Sequence, residues 1–186
     1  MGRQLRALRK ARGWTLAEVS SRSGLAISTL SKAERGQMSL TYDRIIELAD
    51  GLGIDVVELF AQDAMPLTSC GVSVTTFGDA PEVRNDHYTY GMANAEITHK
   101  QMTPMFGRIR AHSIDEFEEL IRHPGEEYTI VLEGSIEVHI EGRELQVLHR
   151  HDSIYFDSSF GHAYVSVSES DALVMCVCWR RPSSST

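Results

Sequence analysis

The chain has 186 residues, 42% hydrophobic and 24% charged, an ordinary globular balance at a length that suits two small domains. No run approaches the ~20 apolar residues of a membrane span, and the start, Met1-Gly2-Arg3-Gln4-Leu5-Arg6, lacks the apolar core of a secretory signal. The expectation is a cytoplasmic protein with no membrane partner. Net charge is −8, yet residues 1–36 carry eight Lys or Arg against only Glu18 and Glu34, while residues 63–186 carry nine basic and nineteen acidic side chains. Attraction to a polyanion is therefore confined to the N-terminal end.

The first sixty residues show helical patterning only. Leu5 and Leu8 mark a short first helix whose other faces are basic. Thr15 and Glu18 form a capping box for the second, with Trp14 and Val19 at the positions of a hydrophobic staple. Gly24 ends it, because a glycine tolerates the positive φ of a helix C-terminus. A third helix runs through Leu30 and Ala33 to Gly36. Thr41 opens a fourth, stapled by Leu40 and Ile45, with Ile45, Leu48, Ala49 and Leu52 as its buried stripe. Asp55 and Glu58 form a second capping box, with Ile54 and Leu59 as staple, for a short fifth helix.

Residues 61–69, carrying Pro66, join this part to one of different period. From about residue 70 the apolar positions alternate. Ile136, Val138 and Ile140 interleave with Glu137, His139 and Glu141, and Leu173, Met175, Val177 and Trp179 with Val174, Cys176 and Cys178. Turn signals recur every eight to twelve residues, as short antiparallel strands require. We set a helical domain at 1–62, a linker at 63–70 and a β domain at 71–182, with a frayed tail at 183–186. Cys70, Cys176 and Cys178 offer no CxxC spacing, so neither a disulfide framework nor a zinc knot is indicated. Cys176 and Cys178 share a strand face and read as buried, reduced packing residues.

Residues 15–36, reading TLAEVSSRSGLAISTLSKAERG, make a helix, a turn at Gly24 and a second helix with short polar side chains on one face. This run resembles the helix-turn-helix of phage repressors and of the xenobiotic-response-element regulators, and the likeness covers residues 3–60. It implies that the second helix lies in the DNA major groove, with its N-terminal half at base edges. The residues so implicated are Thr15, Ala26, Ile27, Ser28, Thr29, Ser31 and Lys32. The family's buried Arg–Glu pair maps onto Arg9 and Glu34. Leu16 stands where many members carry a glutamine.

Residues 123–134, HPGEEYTIVLEG, resemble the first signature of the cupin family, and His162, following DSIYFD at 152–157, falls where the second signature places its histidine. The likeness covers about residues 70–179 and implies a small antiparallel β-barrel, the cupin jelly roll. The family's metal set of three histidines and a glutamate is reduced here to His123, Glu127 and His162, because Ile121 fills the remaining position. Two histidines and one carboxylate suit a divalent transition metal such as iron(II), zinc, nickel or manganese. Strand parity puts Thr129 with Glu127 and Tyr164 with His162 as pocket-lining groups. It also puts Arg108 and Arg110 on one face, suited to an anionic effector if that face points inward. His149 and His151 form another His-x-His pair, in an expected turn.

Together these readings describe a transcription regulator, not an enzyme. It would bind double-stranded operator DNA as a homodimer and respond to a small-molecule effector in its barrel. The alternative is a metal-dependent cupin dioxygenase or isomerase with an accessory DNA-binding domain.

Overall fold

A computed structural model of the chain describes residues 1–60, 65–66, 69 and 71–180. Cys70, most of the linker at 63–70 and the tail at 183–186 lie outside the described residues. The chain divides into two compact units, Met1–Asn85 with Asn94–Lys100, and Asp86–Ala93 with the residues from Gln101 onward.

The first unit is mainly helical: α1 Gly2–Ala11, α2 Leu16–Ser23, α3 Ile27–Glu34 and α4 Tyr42–Leu52, then a 3-10 turn Val56–Leu59. The capping box at the start of α2 is fully formed. Glu18 N donates to Thr15 Oγ1 at 3.2 Å, and Thr15 N donates to Glu18 Oε2 at 2.6 Å. Gly24 closes α2 at φ 74°, the left-handed conformation the turn requires. Leu5, Val19, Leu25, Leu30, Ala33, Ile45, Leu48 and Leu52 are buried and form one core. Arg9 ties α1 to α3 through paired bonds to Glu34, Nε to Oε1 at 2.6 Å and Nη2 to Oε2 at 2.8 Å.

The expected fifth α-helix is the four-residue 3-10 turn. Its capping box between Asp55 and Glu58 is present, but a cap fixes where a helix starts and says nothing of its length. Phe60 N bonds Val57 O at 2.8 Å, the i to i+3 pattern of a tight terminal turn. Three short strands, β1 Met65–Pro66, β2 Glu82–Arg84 and, later in the chain, Ile97–Thr98, complete this unit.

The second unit is an antiparallel jelly roll. With β3 Tyr88–Met92, and Ile97–Thr98 counted as β4, its strands continue as β5 Met102–Ile109, β6 Glu126–Glu133, β7 Ser135–Ile140, β8 Gln146–His149, β9 Ser153–Asp157, β10 His162–Ser166 and β11 Ala172–Trp179. One sheet runs β3-β5-β11-β6-β9 and the other β10-β7-β8. The Tyr88 hydroxyl links them, donating to Tyr164 O at 3.2 Å and accepting from Tyr164 N at 2.9 Å. Val131, Val174, Cys176, Ile136 and Val138 are buried, and these inward positions form the barrel core.

Two local features set the phase of the inward face. Gly125 precedes β6 at φ 122°, and a Cβ there would lie 2.0 Å from Trp179 O, so only glycine allows β6 to start against β11. On β6, Leu132 is an extra residue between Val131, paired with Val174, and Glu133, paired with Leu173. This bulge puts the remainder of β6 and β11 into strict register, which includes the pair Cys178 and Glu127.

Candidate functional site

Two groups of residues carry chemistry, one in each unit. In the first, α3 begins at Ala26, whose extended backbone caps the helix without a side-chain hydrogen bond. Ala26, Ile27, Ser28 and Lys32 are exposed, as is Thr15 at the start of α2, while Thr29 and Ser31 are half-buried. At about 100° per residue, residues 27, 28, 31 and 32 share one arc, opposite the buried Leu30 and Ala33. The arc carries the Ser28 and Ser31 hydroxyls, a single ammonium at Lys32 and the exposed Ile27, a surface a major groove admits. Arg35 contacts the Ser31 hydroxyl and donates to Gln37 Oε1 at 2.9 Å. Arg3, Arg6, Lys10, Arg12 and Arg22 are all exposed, with the Arg22 guanidinium 4.2 Å from the Trp14 ring centroid.

The second group lies inside the barrel and is assembled by backbone pairing. Ile121 and His162 exchange hydrogen bonds of 3.0 and 2.9 Å, and His123 N donates to Ser158 O at 3.0 Å. These bonds bring the segment before β6 against the start of β10. His123 Nε2 then lies 3.1 Å and His162 Nε2 3.7 Å from the same oxygen, Oε2 of Glu127. The other oxygen, Oε1, accepts from the Tyr164 hydroxyl at 2.6 Å. Thr129 Oγ1 stands 3.1 Å from Oε1, 2.9 Å from Tyr164 Oη and 3.2 Å from Cys176 Sγ, so its single proton serves one of them at a time. Cys178 Sγ is 3.5 Å from Oε2.

Every one of these side chains is buried. Burial alone would raise the Glu127 carboxyl. The bond from His123, the charges of His162 and His123, and the Tyr164 bond outweigh it and bring the carboxyl down to about 2. The neighbouring Tyr164 hydroxyl and Cys176 thiol are both pushed well up, first by burial and then by the Glu127 charge, so both keep their protons.

Nδ1 of His162 sits 2.9 Å from Phe160 O and must donate to that carbonyl, which leaves Nε2 as the acceptor atom of the neutral ring. A buried carboxylate faced by imidazole nitrogens needs a cation among them, either a proton on a ring or a metal. His123, Glu127 and Cys178 form a buried cluster with ligand atoms within 4.8 Å of one another, compatible in donor type and spacing with a metal site.

The structure thus brings together His123, Glu127, His162, Thr129 and Tyr164. It does not bring Arg108 and Arg110 to them. Ile109 and Ala111 take the inward positions of that segment, leaving Arg108 exposed and Arg110 half-buried. Burying two guanidinium groups would need carboxylate partners, whereas Ile and Ala need none. His149 ends β8 instead of lying in the expected turn, and His151 stands in the turn that follows at φ 74°; both are exposed. The residue that sequence reasoning assigned to packing alone is Cys178. The available signal was its shared face with Cys176, and what turns that signal into a site is its pairing with Glu127.

Comparison with known proteins agrees with both units. The sequence matches the helix-turn-helix domain family over residues 1–61 and the cupin domain family over residues 115–178. It is 24% identical over 167 residues to the HTH-type transcriptional regulator SutR of Escherichia coli K12, covering 86% of this chain and 83% of that protein. Over 59 residues it is 41% identical to y4dJ of Sinorhizobium fredii, an uncharacterized HTH-type transcriptional regulator, covering 32% of this chain and 77% of that one. Among solved structures, an HTH_3 family transcriptional regulator from Vibrio cholerae shares the fold at TM-score 0.59 and 23% identity, over 97% of this chain and 96% of that one. Hydroxypropylphosphonic acid epoxidase from S. wedmorenis shares it at TM-score 0.51 and 19% identity, over 96% of each chain. Among the described residues, no helix is long and apolar enough to cross a membrane.

Proposed function

This chain belongs to the helix-turn-helix transcriptional regulators, and on that premise we propose that it binds operator DNA through α3 under the control of a small molecule in its barrel. The observation that carries the reading is the exposed hydroxylic arc of α3 on the basic end of an otherwise acidic chain. In this reading residues 1–62 are the DNA-binding module, and Thr15, Ala26, Ile27, Ser28, Thr29, Ser31 and Lys32 face the groove. A helix of this size reads only a half-site, which supports a homodimer on a palindromic operator. The site of action is then the cytoplasm.

Residues 71–182 act as the sensor. Thr129 and Tyr164 are its polar contacts, beside His123, Glu127 and His162, which would hold a divalent metal. A bound metal would supply the positive charge the buried carboxylate lacks and an open position for an effector. The Ser158 hydroxyl, fully buried with no hydrogen-bond partner among the described residues, adds a polar group on the residue whose carbonyl binds His123 N. An effector shifts the DNA-binding equilibrium only by its differential affinity for the two arrangements of the dimer. The rival reading, a cupin dioxygenase or isomerase, demands metal-dependent turnover. We assign the barrel to sensing because the sequence relatives SutR and y4dJ are named as transcription regulators, while the likeness to the epoxidase, at 19% identity, is one of fold alone.

The test is a gel-shift titration with the cognate operator. Lys32→Ala and Thr29→Ala should each weaken specific binding by about 1–3 kcal/mol, the worth of a base contact, with the far-UV spectrum unchanged. Full affinity in both variants would reject this placement of α3.

A further inference from the structure

The cluster inside the barrel contains one donor that the two-histidine, one-carboxylate reading does not use. We infer that Cys178 is itself a metal donor, so that the barrel holds a sulfur-containing site selective for thiophilic first-row ions, zinc, cobalt or iron(II), over magnesium, calcium and manganese. The inference rests on the metal reading proposed above and specifies its chemistry.

Three observations carry it. The first is position. Cys178 on β11 pairs directly with Glu127 on β6, and both side chains are buried on the inward face. A pair of facing residues on adjacent antiparallel strands holds its side chains together without help from any loop.

The second is spacing. With metal bonds of about 2.0–2.2 Å to nitrogen and oxygen and about 2.3 Å to sulfur, tetrahedral geometry sets donor separations near 3.3–3.7 Å. The observed separations from Glu127 Oε2 are 3.1 Å to His123 Nε2, 3.5 Å to Cys178 Sγ and 3.7 Å to His162 Nε2. His123, Glu127 and Cys178 form the tighter triad, with all ligand atoms within 4.8 Å, and His162 stands beside it.

The third is the contrast with the neighbouring thiol. Cys176 pairs with Thr129, and its Sγ lies 3.2 Å from the Thr129 hydroxyl. Of the two buried cysteines, only Cys178 joins the histidine and the carboxylate.

Ligand softness then sets the preference. A thiolate added to imidazole and carboxylate favours borderline ions and adds nothing for hard, oxygen-seeking ones. Ile121, which removes one histidine from the family's set, is balanced by sulfur arriving from the opposite strand.

Cobalt(II) alone is the probe, added to the full chain purified in the absence of chelator. Wild type should take up about one equivalent, with an intense near-ultraviolet sulfur-to-cobalt charge-transfer band. Cys178→Ser should lose that band, and Cys176→Ser should keep it. Cobalt uptake without the band would overturn the inference while leaving a nitrogen and oxygen site intact, and a band that survives in Cys178→Ser would overturn it by putting a different cysteine on the metal. No uptake by wild type would overturn the metal reading as a whole. Should Cys178→Ser fail to fold, X-ray absorption of the zinc-loaded wild type decides. A sulfur neighbour at about 2.3 Å supports the assignment, and a shell of nitrogen and oxygen only rejects it.

Discussion

Glu127 shows how much one buried charge asks of its neighbours. Its two oxygens are served from different sides, Oε2 by His123 and Oε1 by Tyr164, and the second bond is the shorter at 2.6 Å. Tyr164→Phe removes that donor at nearly constant volume. A hydrogen bond to an ionised group contributes about 1.5–3 kcal/mol, so the variant should melt several degrees lower, with the Glu127 carboxyl moving up toward its ordinary range. A thermal melt of the full chain measures the first effect, and an unchanged melting temperature would show that Thr129 alone satisfies Oε1. Most of this cluster was legible in the sequence, because His123, Glu127 and His162 keep a family's spacing and Thr129 and Tyr164 follow by parity. Cys178 was not, because a cysteine in an apolar strand looks like any packing residue. Its role depends on which strand lies alongside, and local sequence holds no record of that.

At the scale of single elements, helix starts were written plainly and strand orientation was not. The Thr15 and Glu18 box, the Gly24 stop and the Arg9 and Glu34 pair all appear in the structure as read. Thr15→Ala should destabilise the helical unit by about 1 kcal/mol, the usual worth of an N-cap. The pH dependence has a defined sign. The Glu18 carboxyl is held below its ordinary value first by the Thr15 backbone N–H and then by the Thr15 hydroxyl, with Arg22 adding to both. A depressed carboxyl stabilises the fold above the unfolded carboxylate range, about pH 4.3, and that contribution fades as pH falls below it. The gap between wild type and Thr15→Ala should therefore narrow in acid, as chemical denaturation at neutral pH and at about pH 3 would reveal. At the end of β5 and just beyond it the alternation of Arg108 and Arg110 with Ile109 and Ala111 was visible, but alternation names two faces without saying which is inside. The apolar face took the interior, leaving Arg108 exposed and Arg110 half-buried.

For the molecule as a whole the governing fact is the separation of charge, net −8 although the first 36 residues carry eight basic side chains against two acidic ones. Operator binding should then be steeply salt-dependent despite the overall acidity. With about six phosphates neutralised, affinity falls roughly a thousandfold between about 50 and about 200 mM salt. Fluorescence anisotropy across that range gives the slope, and a flat plot of log affinity against log salt would remove the phosphate contacts from the account. The same charge map was fully legible in the sequence, because charge is counted and needs no fold to be located along a chain.

The bulge at Leu132 has a consequence for how such a chain can vary over generations. Its presence means that β6 and β11 differ by one residue in the span they share, and the mismatch is absorbed at a single point. Loss of Leu132 would leave Val131 opposite Val174 and Glu133 opposite Leu173, with Glu127 still facing Cys178. Loss of Ile130, only two positions earlier, would turn Glu127 and Thr129 to the outside and bring Tyr128 in. Length polymorphism in this barrel is thus permitted at the bulge and forbidden between it and the buried carboxylate, so descendants of this sequence are free to change residue by residue there but not to stutter.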